Sequence, residues 1–314
     1  MRISLFFKGA AMGAADVVPG VSGGTVALIT GIYAELLVSL GRLNPAALRL
    51  WYRQGFRAFW SQINGAFLLT LFAGILASVL SLAQLISYLL ASHPIPVWSF
   101  FMGLILISAA RLCQSLKKLS PTVVVLGMAG FAVAWELSAA GAISLPDPTL
   151  PVFFAAGAVA ICAMILPGIS GSAILLMLGL YAPVLAAVKS FDLPVLLVFC
   201  SGCALGLLAF SRLLAWLLER AQDLCMAFLT GLMLGSINRL WPWKLTLEWT
   251  IDSNGASVPV MQHNIAPWHF LELTGGDSQW AMALLMIGVG LLLVPMLERV
   301  GQRLADREVK SSAG

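Results

Sequence analysis

Two short polar segments interrupt apolar sequence in this chain of 314 residues. They read Asp16-Val-Val-Pro-Gly-Val-Ser-Gly-Gly-Thr25 and Met164-Ile-Leu-Pro-Gly-Ile-Ser-Gly-Ser-Ala173, so each places a Pro-Gly pair before a Ser-Gly pair. A Pro-Gly pair breaks a helix, and the helix that starts after it has backbone N–H groups without an intrahelical partner. Such N–H groups, beside small residues that let an oxyanion approach the backbone, are suited to binding phosphate or carboxylate.

The residues predicted to contact an anion follow the two breaks. We expect the breaks at Pro19-Gly20 and Pro167-Gly168, and the contacts from Ser22, Gly23, Gly24 and Thr25 in the first segment and Ser170, Gly171 and Ser172 in the second. Small residues at these positions could instead serve only to pack two hairpin tips tightly. The presence of two copies favours ligand contact.

The composition places both segments in a membrane. Hydrophobic residues make up 60% of the chain and charged residues 10%, and the mean hydropathy is +0.94. Because a spanning helix needs about 20 apolar residues, the chain predicts an all-α polytopic membrane protein. The net charge of +4 is too small to indicate nucleic-acid binding. We expect no cofactor and no metal, and the sequence does not define an oligomeric state.

Each broken segment predicts a re-entrant hairpin followed by crossing helices. Residues 1–148 are predicted to contain a hairpin over 3–40, an amphipathic helix over 45–60, and crossings over 65–91, 96–116 and 122–144. Residues 149–300 are predicted to contain a hairpin over 152–188, crossings over 193–218, 224–241 and 279–297, and an outer loop over 242–278. Residues 301–314 form a tail. Within the first hairpin we expect two half-length helices of about 15 and 18 residues, each too short to span the hydrocarbon core.

Two features outside the crossings have local signatures. Asn44-Pro45 predicts the start of a helix with arginine every fourth residue from Arg49 to Arg57, which we expect to lie on the anionic cytoplasmic leaflet. Asn254-Gly255, between alternating residues in the outer loop, predicts a β-hairpin.

Basic residues predict the orientation. If both broken segments are re-entrant, all strongly basic loops fall on one side, namely 42–60, 111–118, 212–220 and 299–310. The positive-inside rule makes that side cytoplasmic, together with the C-terminus.

An internal repeat relates the two halves of the chain. The Pro-Gly pairs are 148 residues apart, whereas Gly74 and Gly202 are 128 residues apart. Three predicted crossings separate the hairpins, so the two halves are predicted to have inverted topology. Inverted repeats with broken helices are typical of secondary transporters, whose sites lie near the membrane midplane.

Four charged residues near apolar sequence could complete a site. Arg111 and Arg239 are equivalent in the repeat, near the ends of crossing helices on opposite faces. Arg239 opposes the positive-inside tendency, which anion binding at the outer face would explain, whereas Arg111 could equally be a cytoplasmic anchor. Asp16 and Glu136 are the acids deepest in apolar sequence and could carry protons or pair with arginine. Asp16 could instead cap the hairpin turn.

The paired segments resemble the signature of a known bacterial membrane family. The strings GAADVVPGVSGGTVALITGIY and ILPGISGSAILLMLGLY are similar to those of the undecaprenyl-phosphate translocases of the PopT type, over residues 1–300. The resemblance implies a flippase in the bacterial inner membrane that returns undecaprenyl phosphate from the outer to the inner leaflet for cell-wall synthesis. It implies that the Ser-Gly residues of both segments face the lipid phosphate, whereas the arginine assignments come from the repeat.

Two other functions remain open. Undecaprenyl-pyrophosphate phosphatases also resemble this pattern, with inverted hairpins, an arginine inside the motif and paired glutamates on an adjacent helix. Both segments here lack that arginine, and no Glu-x-x-x-Glu pair precedes them, so a charge clamp for phosphate cleavage is missing and we expect no enzyme activity. The third alternative is a channel or carrier for small anions.

Overall fold

The computed structural model describes residues 3–17, 22–139, 148–251 and 257–312. Helices dominate the first part of the chain. They are α1 (Ile3–Asp16), α2 (Gly23–Ile29), α3 (Tyr33–Gly41), α4 (Pro45–Gln54), α5 (Phe56–Gln62), α6 (Gly65–Ser92), α7 (Pro94–Ser115) and α8 (Pro121–Ala139). The predicted break at Pro19-Gly20 lies outside the described residues.

The second part of the chain adds further helices and a strand pair. These are α9 (Leu150–Ile165), α10 (Gly171–Met177), α11 (Tyr181–Ser190), α12 (Leu193–Arg220), α13 (Gln222–Gly235), α14 (Ile237–Leu240), β1 (Lys244–Ile251), β2 (Ser257–Asn264), α15 (Phe270–Thr274) and α16 (Trp280–Ser312).

The protein is a helical, polytopic membrane protein, as predicted. Among the described residues, four helices are long and apolar enough to cross a membrane, and they lie in α6, α7, α8 and α12. Two bent helix pairs would raise the number of spans to six if each pair counts as one. The strand pair predicted within residues 242–278 is also confirmed, since β1 and β2 are antiparallel with Lys244 opposite Asn264. Its predicted turn at Asn254-Gly255 lies outside the described residues.

Each broken segment contains a second bend that the sequence interpretation missed. The axes of α2 and α3 differ by 118°, and those of α10 and α11 by 107°. Gly31 and Gly179 lie at these bends with φ values of +73° and +67°, which glycine adopts without steric cost. The expectation of two helices in the first hairpin is therefore wrong, because a third helix follows Gly31.

Other predicted boundaries differ for local reasons. The amphipathic helix begins as expected, with the Asn44 side chain accepting a hydrogen bond from the Ala47 N–H at 2.8 Å. It is split at Gly55, where φ is +83°, into α4 and α5. The predicted crossing over 224–241 ends early, since α13 stops at Gly235 and the short α14 follows.

Contacts divide the chain into two compact units. The first comprises residues 1–88 and 115–236, and the second comprises residues 89–114 and 237–314. Both broken segments belong to the first unit. Arg111 and Arg239 belong to the second unit, with the strand pair and α16.

Within the first unit, the same helix contact occurs twice. Gly74 on α6 lies against the Phe6 carbonyl, and Gly202 on α12 lies against the Phe154 carbonyl, so neither position has room for a Cβ. The two phenylalanines are 148 residues apart and the two glycines 128 residues apart, which are the offsets of the sequence repeat. Close approach of helix backbones at glycine is a common way to pack membrane helices.

We expect Gly202→Val to destabilise the protein, because its side chain must displace the backbone of α9. Overpacking of this kind costs about 1–3 kcal/mol, and more where backbone must move. The matched control is Gly288→Val on α16, where a Cβ would meet nothing within 4 Å. The temperature at which half of the purified protein stays monodisperse on size-exclusion chromatography should fall for the first variant only. Equal shifts would contradict the helix contact.

Candidate functional site

Backbone groups at the second break lose their helical hydrogen-bond partners, and side chains of the first broken segment bind them instead. In a continuous helix the Gly168 N–H would donate to the Met164 carbonyl. Gly168 instead has a φ of +85°, and α9 has already ended. Ser22 Oγ donates to the Met164 carbonyl at 2.8 Å, and the Gly168 N–H donates to Thr25 Oγ1 at 2.9 Å. The donor and the acceptor of that one lost bond thus each bind a hydroxyl of the other segment.

We call this contact between the two segments the junction. It is formed by Ser22, Gly24, Thr25 and Tyr33 of the first segment and Met164, Ile165 and Gly168 of the second. Two further contacts contribute to it. The Tyr33 hydroxyl, at the start of α3, donates to the Ile165 carbonyl at 3.2 Å. Gly24 lies against the same carbonyl, where there is no room for a Cβ. The residues of the junction are deeply buried, with 1% of Ser22, 2% of Thr25 and 2% of Tyr33 exposed.

Side chains also occupy the start of α2. Ser22 is its N-cap, with Ser22 Oγ accepting from the Gly24 N–H at 3.1 Å. The Asp16 carboxylate accepts from the Gly23 N–H at 2.6 Å. The first turn of a helix has several such donors, and here a carboxylate of the protein already binds one of them. The arrangement agrees with the alternative interpretation of Asp16 as a cap, and it demonstrates that the position accommodates an oxyanion.

The second segment has a different chemistry despite its similar sequence. Ser170 precedes α10 without making a side-chain cap, and its hydroxyl lies 2.9 Å from that of Ser172. Ser170 is buried, whereas Ser172 is exposed. Gly171 packs against the Ala160 carbonyl, 2.7 Å from where a Cβ would lie. Pro167 is fully buried.

A cavity of about 170 Å³ adjoins the junction. Asp16, Gly23 and Gly24 line it together with apolar side chains that include Leu36, Leu71, Phe72, Ile75, Ile161 and Leu207. A larger groove of about 400 Å³ lies beside α3, α12 and α13, and Tyr33 lines both spaces. A mostly apolar space with a few polar groups in its lining suits a ligand that joins a small charged group to a hydrocarbon chain.

The remaining predicted residues are not part of the junction. Glu136 is exposed on α8, and none of the described contacts links it to the two segments. Arg111, exposed near the end of α7, and Arg239, half-buried on α14, belong to the second compact unit. Their participation in one site with the segments remains a prediction.

Sequence reasoning missed two residues that the structure draws attention to. Tyr33 was not predicted to take part in the site, although an aromatic hydroxyl close to a predicted break was a usable signal. Lys244 lies next to Arg239, and its Nζ donates to the Arg239 carbonyl at 2.6 Å. A second cation only five residues after Arg239 was the signal available there.

Residues 12–258 match the family described as VCA0040-like, undecaprenyl phosphate translocase-like. This chain belongs to that family. The resemblance noted in the sequence is thereby confirmed.

Two relatives of this translocase-like chain are named polyprenyl-phosphate transporters. One, from Vibrio cholerae serotype O1, is 50% identical over 301 residues, which cover 96% of this chain and 97% of the relative. The other, from Staphylococcus aureus, is 32% identical over 252 residues, which cover 75% of this chain and 84% of the relative. The comparison with solved structures found no match.

In this translocase-like protein, Thr25→Val should destabilise the fold more than Thr25→Ser. Valine keeps the shape but removes the hydroxyl, which leaves the buried Gly168 N–H without its partner at a cost of about 1–3 kcal/mol. Serine keeps the acceptor and loses only a methyl group. Titration of the purified protein with sodium dodecyl sulfate would measure both unfolding free energies. A larger loss for the serine variant would mean that packing of the methyl group, and not the hydrogen bond, matters at this position.

Proposed function

We propose that this protein moves undecaprenyl phosphate from the outer to the inner leaflet of the bacterial cytoplasmic membrane, so that the carrier lipid can be used again in cell-wall synthesis. The observation that carries the proposal is the junction of the two broken segments beside a mostly apolar cavity, whose lining also includes Asp16, Gly23 and Gly24. The names of the two relatives support a polyprenyl phosphate as the substrate.

In this proposal the phosphate binds at the junction, in contact with the Ser-Gly residues of both segments. In the described conformation the Gly23 N–H is not available to a ligand, because it already donates to the Asp16 carboxylate. A phosphate oxygen would therefore take the place of the carboxylate oxygen. Two anions side by side in a low-dielectric site repel each other strongly. Asp16 must accordingly move away or take up a proton as the phosphate enters. We propose that it takes up a proton, which would couple transport to protons.

The proposal gives the two predicted arginines a role in binding the phosphate and gives Glu136 none. Arg239 would capture the phosphate at the outer face, and Arg111 would serve the equivalent step at the cytoplasmic face. Glu136 is exposed on α8, so the proposal gives proton transfer to Asp16 alone.

The hydrocarbon chain would remain largely in the bilayer. The cavity beside Gly23 is too small for a polyprenyl chain and would hold only the isoprene units nearest the phosphate. The groove beside α3, α12 and α13 offers a further apolar path. Transport then requires only that the charged group cross the membrane, since the chain is already soluble in lipid.

Alternating exposure of the site would follow from two halves with inverted topology. This part of the proposal is supported by the recurring contacts of Gly74 and Gly202 at the offsets of the sequence repeat. It is also supported by the collection of strongly basic loops on one predicted side. Repeats of this kind allow one bundle to move against the other around a fixed site.

The α4–α5 region would lie on the cytoplasmic leaflet. Trp51, Tyr52 and Phe56 are exposed, and so are the arginines of α4. Aromatic side chains suit the headgroup region, and arginines attract anionic lipids.

The proposal is tested in proteoliposomes with a fluorescent short-chain analogue of undecaprenyl phosphate. We expect the wild-type protein to speed the movement of the label out of reach of a membrane-impermeant quencher, without release of free phosphate. Asp16→Asn should lower the initial rate by about tenfold or more, because the amide can still accept from Gly23 but cannot exchange a proton.

The matched control for this variant is Asp192→Asn. Asp192 also accepts from a backbone N–H at a helix start, that of Val195 at 3.3 Å, but it is exposed and belongs to no proposed site. Its rate should equal that of the wild type. A wild-type rate no faster than that of empty liposomes would overturn the proposed function, and phosphate release would favour the phosphatase.

The arginines make a separate prediction about sidedness. With the labelled lipid added only to the leaflet that corresponds to the outer face, Arg239→Ala should reduce the initial rate of uptake more than Arg111→Ala does. The reason is that, of the two arginines, only Arg239 is predicted to lie at the face where the lipid arrives. Equal reductions would contradict the sided assignment, and a larger reduction for Arg111→Ala would reverse it.

A further inference from the structure

In the second compact unit, two cationic residues lie side by side. Lys244 is the first residue of β1 and Arg239 lies on α14, and Lys244 Nζ donates to the Arg239 carbonyl at 2.6 Å. Across the strand pair, Lys244 is paired in register with Asn264. The position of Lys244 is therefore fixed by a strand register and by a bond to the turn before it.

An aromatic ring completes the cluster. Lys244 Nζ lies 4.7 Å from the centre of the Trp98 ring, which belongs to α7. The surrounding backbone is held by two tryptophans, because Trp241 Nε1 donates to the Ile265 carbonyl at 2.8 Å and Trp243 Nε1 donates to the Ser278 carbonyl at 2.7 Å. The cluster thus stands on a well-anchored part of the outer loop.

The two positive charges are not balanced within the part of the chain that the structure describes. Among the side chains described there, no acidic group lies within ion-pair distance of Arg239 or Lys244, and none accepts a hydrogen bond from the Arg239 guanidinium. Burial, and then the charge of Arg239, lower the pKa of Lys244 to about 7. Partly buried cations without an anionic partner are costly, and a bound anion would remove that cost.

We propose that Arg239, Lys244 and Trp98 form a binding site for a phosphate monoester group. The planar guanidinium can pair with two phosphate oxygens, and the ammonium adds a compact charge beside it. The indole ring offers an apolar surface to whatever hydrocarbon the phosphate carries. The same chemistry would receive a prenyl phosphate or free inorganic phosphate.

This site deepens the proposed function and rests on it in one respect only. If the protein transports a lipid phosphate inwards, a phosphate site in the outer loop is where the headgroup first binds. The assignment of a phosphate site to these three residues does not itself require transport.

The test is a binding measurement on the purified full-length protein by isothermal titration calorimetry at pH 7. The probes are farnesyl phosphate, inorganic phosphate and farnesol. Lys244→Gln should weaken farnesyl phosphate binding by about tenfold or more, as expected for loss of a charge-assisted contact, whereas Lys244→Arg should retain most of the affinity. Arg239→Gln should act like Lys244→Gln.

The matched control is Arg220→Gln. The Arg220 guanidinium also lies over a tryptophan, 5.3 Å from the centre of the Trp216 ring, but it lies in the first compact unit. Removing it should leave farnesyl phosphate affinity unchanged.

A second measurement follows the protonation of Lys244 directly. The rate at which an amine-directed acylating reagent modifies Lys244, read by mass spectrometry, should reach half its maximum near pH 7 because of the lowered pKa. Arg239→Gln removes a neighbouring positive charge and should move this midpoint to higher pH. Bound farnesyl phosphate should do the same, since an adjacent anion favours the ammonium form.

The outcomes separate this site from the proposed function. Unchanged farnesyl phosphate affinity in Lys244→Gln, or an equal loss of farnesol affinity, overturns the site even if transport is observed. The expected affinities together with no transport by the wild type uphold the site and overturn the proposed function. Equal affinities for inorganic and farnesyl phosphate uphold the phosphate site and assign it to free phosphate, whereas a preference for farnesyl phosphate assigns it to the lipid.

Discussion

Inside a membrane, every backbone N–H and carbonyl group must find its hydrogen-bond partner within the protein, because lipid supplies none. A helix broken at membrane depth violates this requirement unless another part of the chain takes over. Ser22 and Thr25 do so for the second break, by binding the Met164 carbonyl and the Gly168 N–H. The first segment is therefore a structural requirement of the second. The close approach of Gly24 and the position of the cavity both follow from this pairing.

The two segments share a motif but do not share a role. The hydroxyls of Ser22 and Thr25 form hydrogen bonds to the second segment. Those of Ser170 and Ser172 bind each other, and Ser172 is exposed. Asp16 adds a carboxylate on one side only, since Met164 stands at the equivalent position. The repeated motif thus forms one buried framework and one more accessible surface.

Much of this architecture could be predicted from the sequence, because long apolar runs, Pro-Gly pairs and an Asn-Pro helix start act locally. The bends at Gly31 and Gly179 were missed since a glycine within an apolar run is compatible with an uninterrupted helix, and only packing decides its φ. The repeat gave the two segments equivalent positions in the two halves of the sequence, but the bonds that join them were not predicted. They depend on which hydroxyl meets which carbonyl across 142 residues, and no local pattern encodes that distance. Lys244 was missed for a similar reason, as its contact with the Trp98 ring joins it to a distant helix.

The exchange of hydrogen bonds at the second break also limits how the two segments can move. If Ser22 withdrew from the Met164 carbonyl without another partner taking its place, the carbonyl would remain unsatisfied at a cost of several kcal/mol. Small displacements are therefore penalised, and only a step that gives every group a new partner at once is accessible. The junction between the segments should accordingly behave as a ratchet with discrete positions, not as a sliding contact.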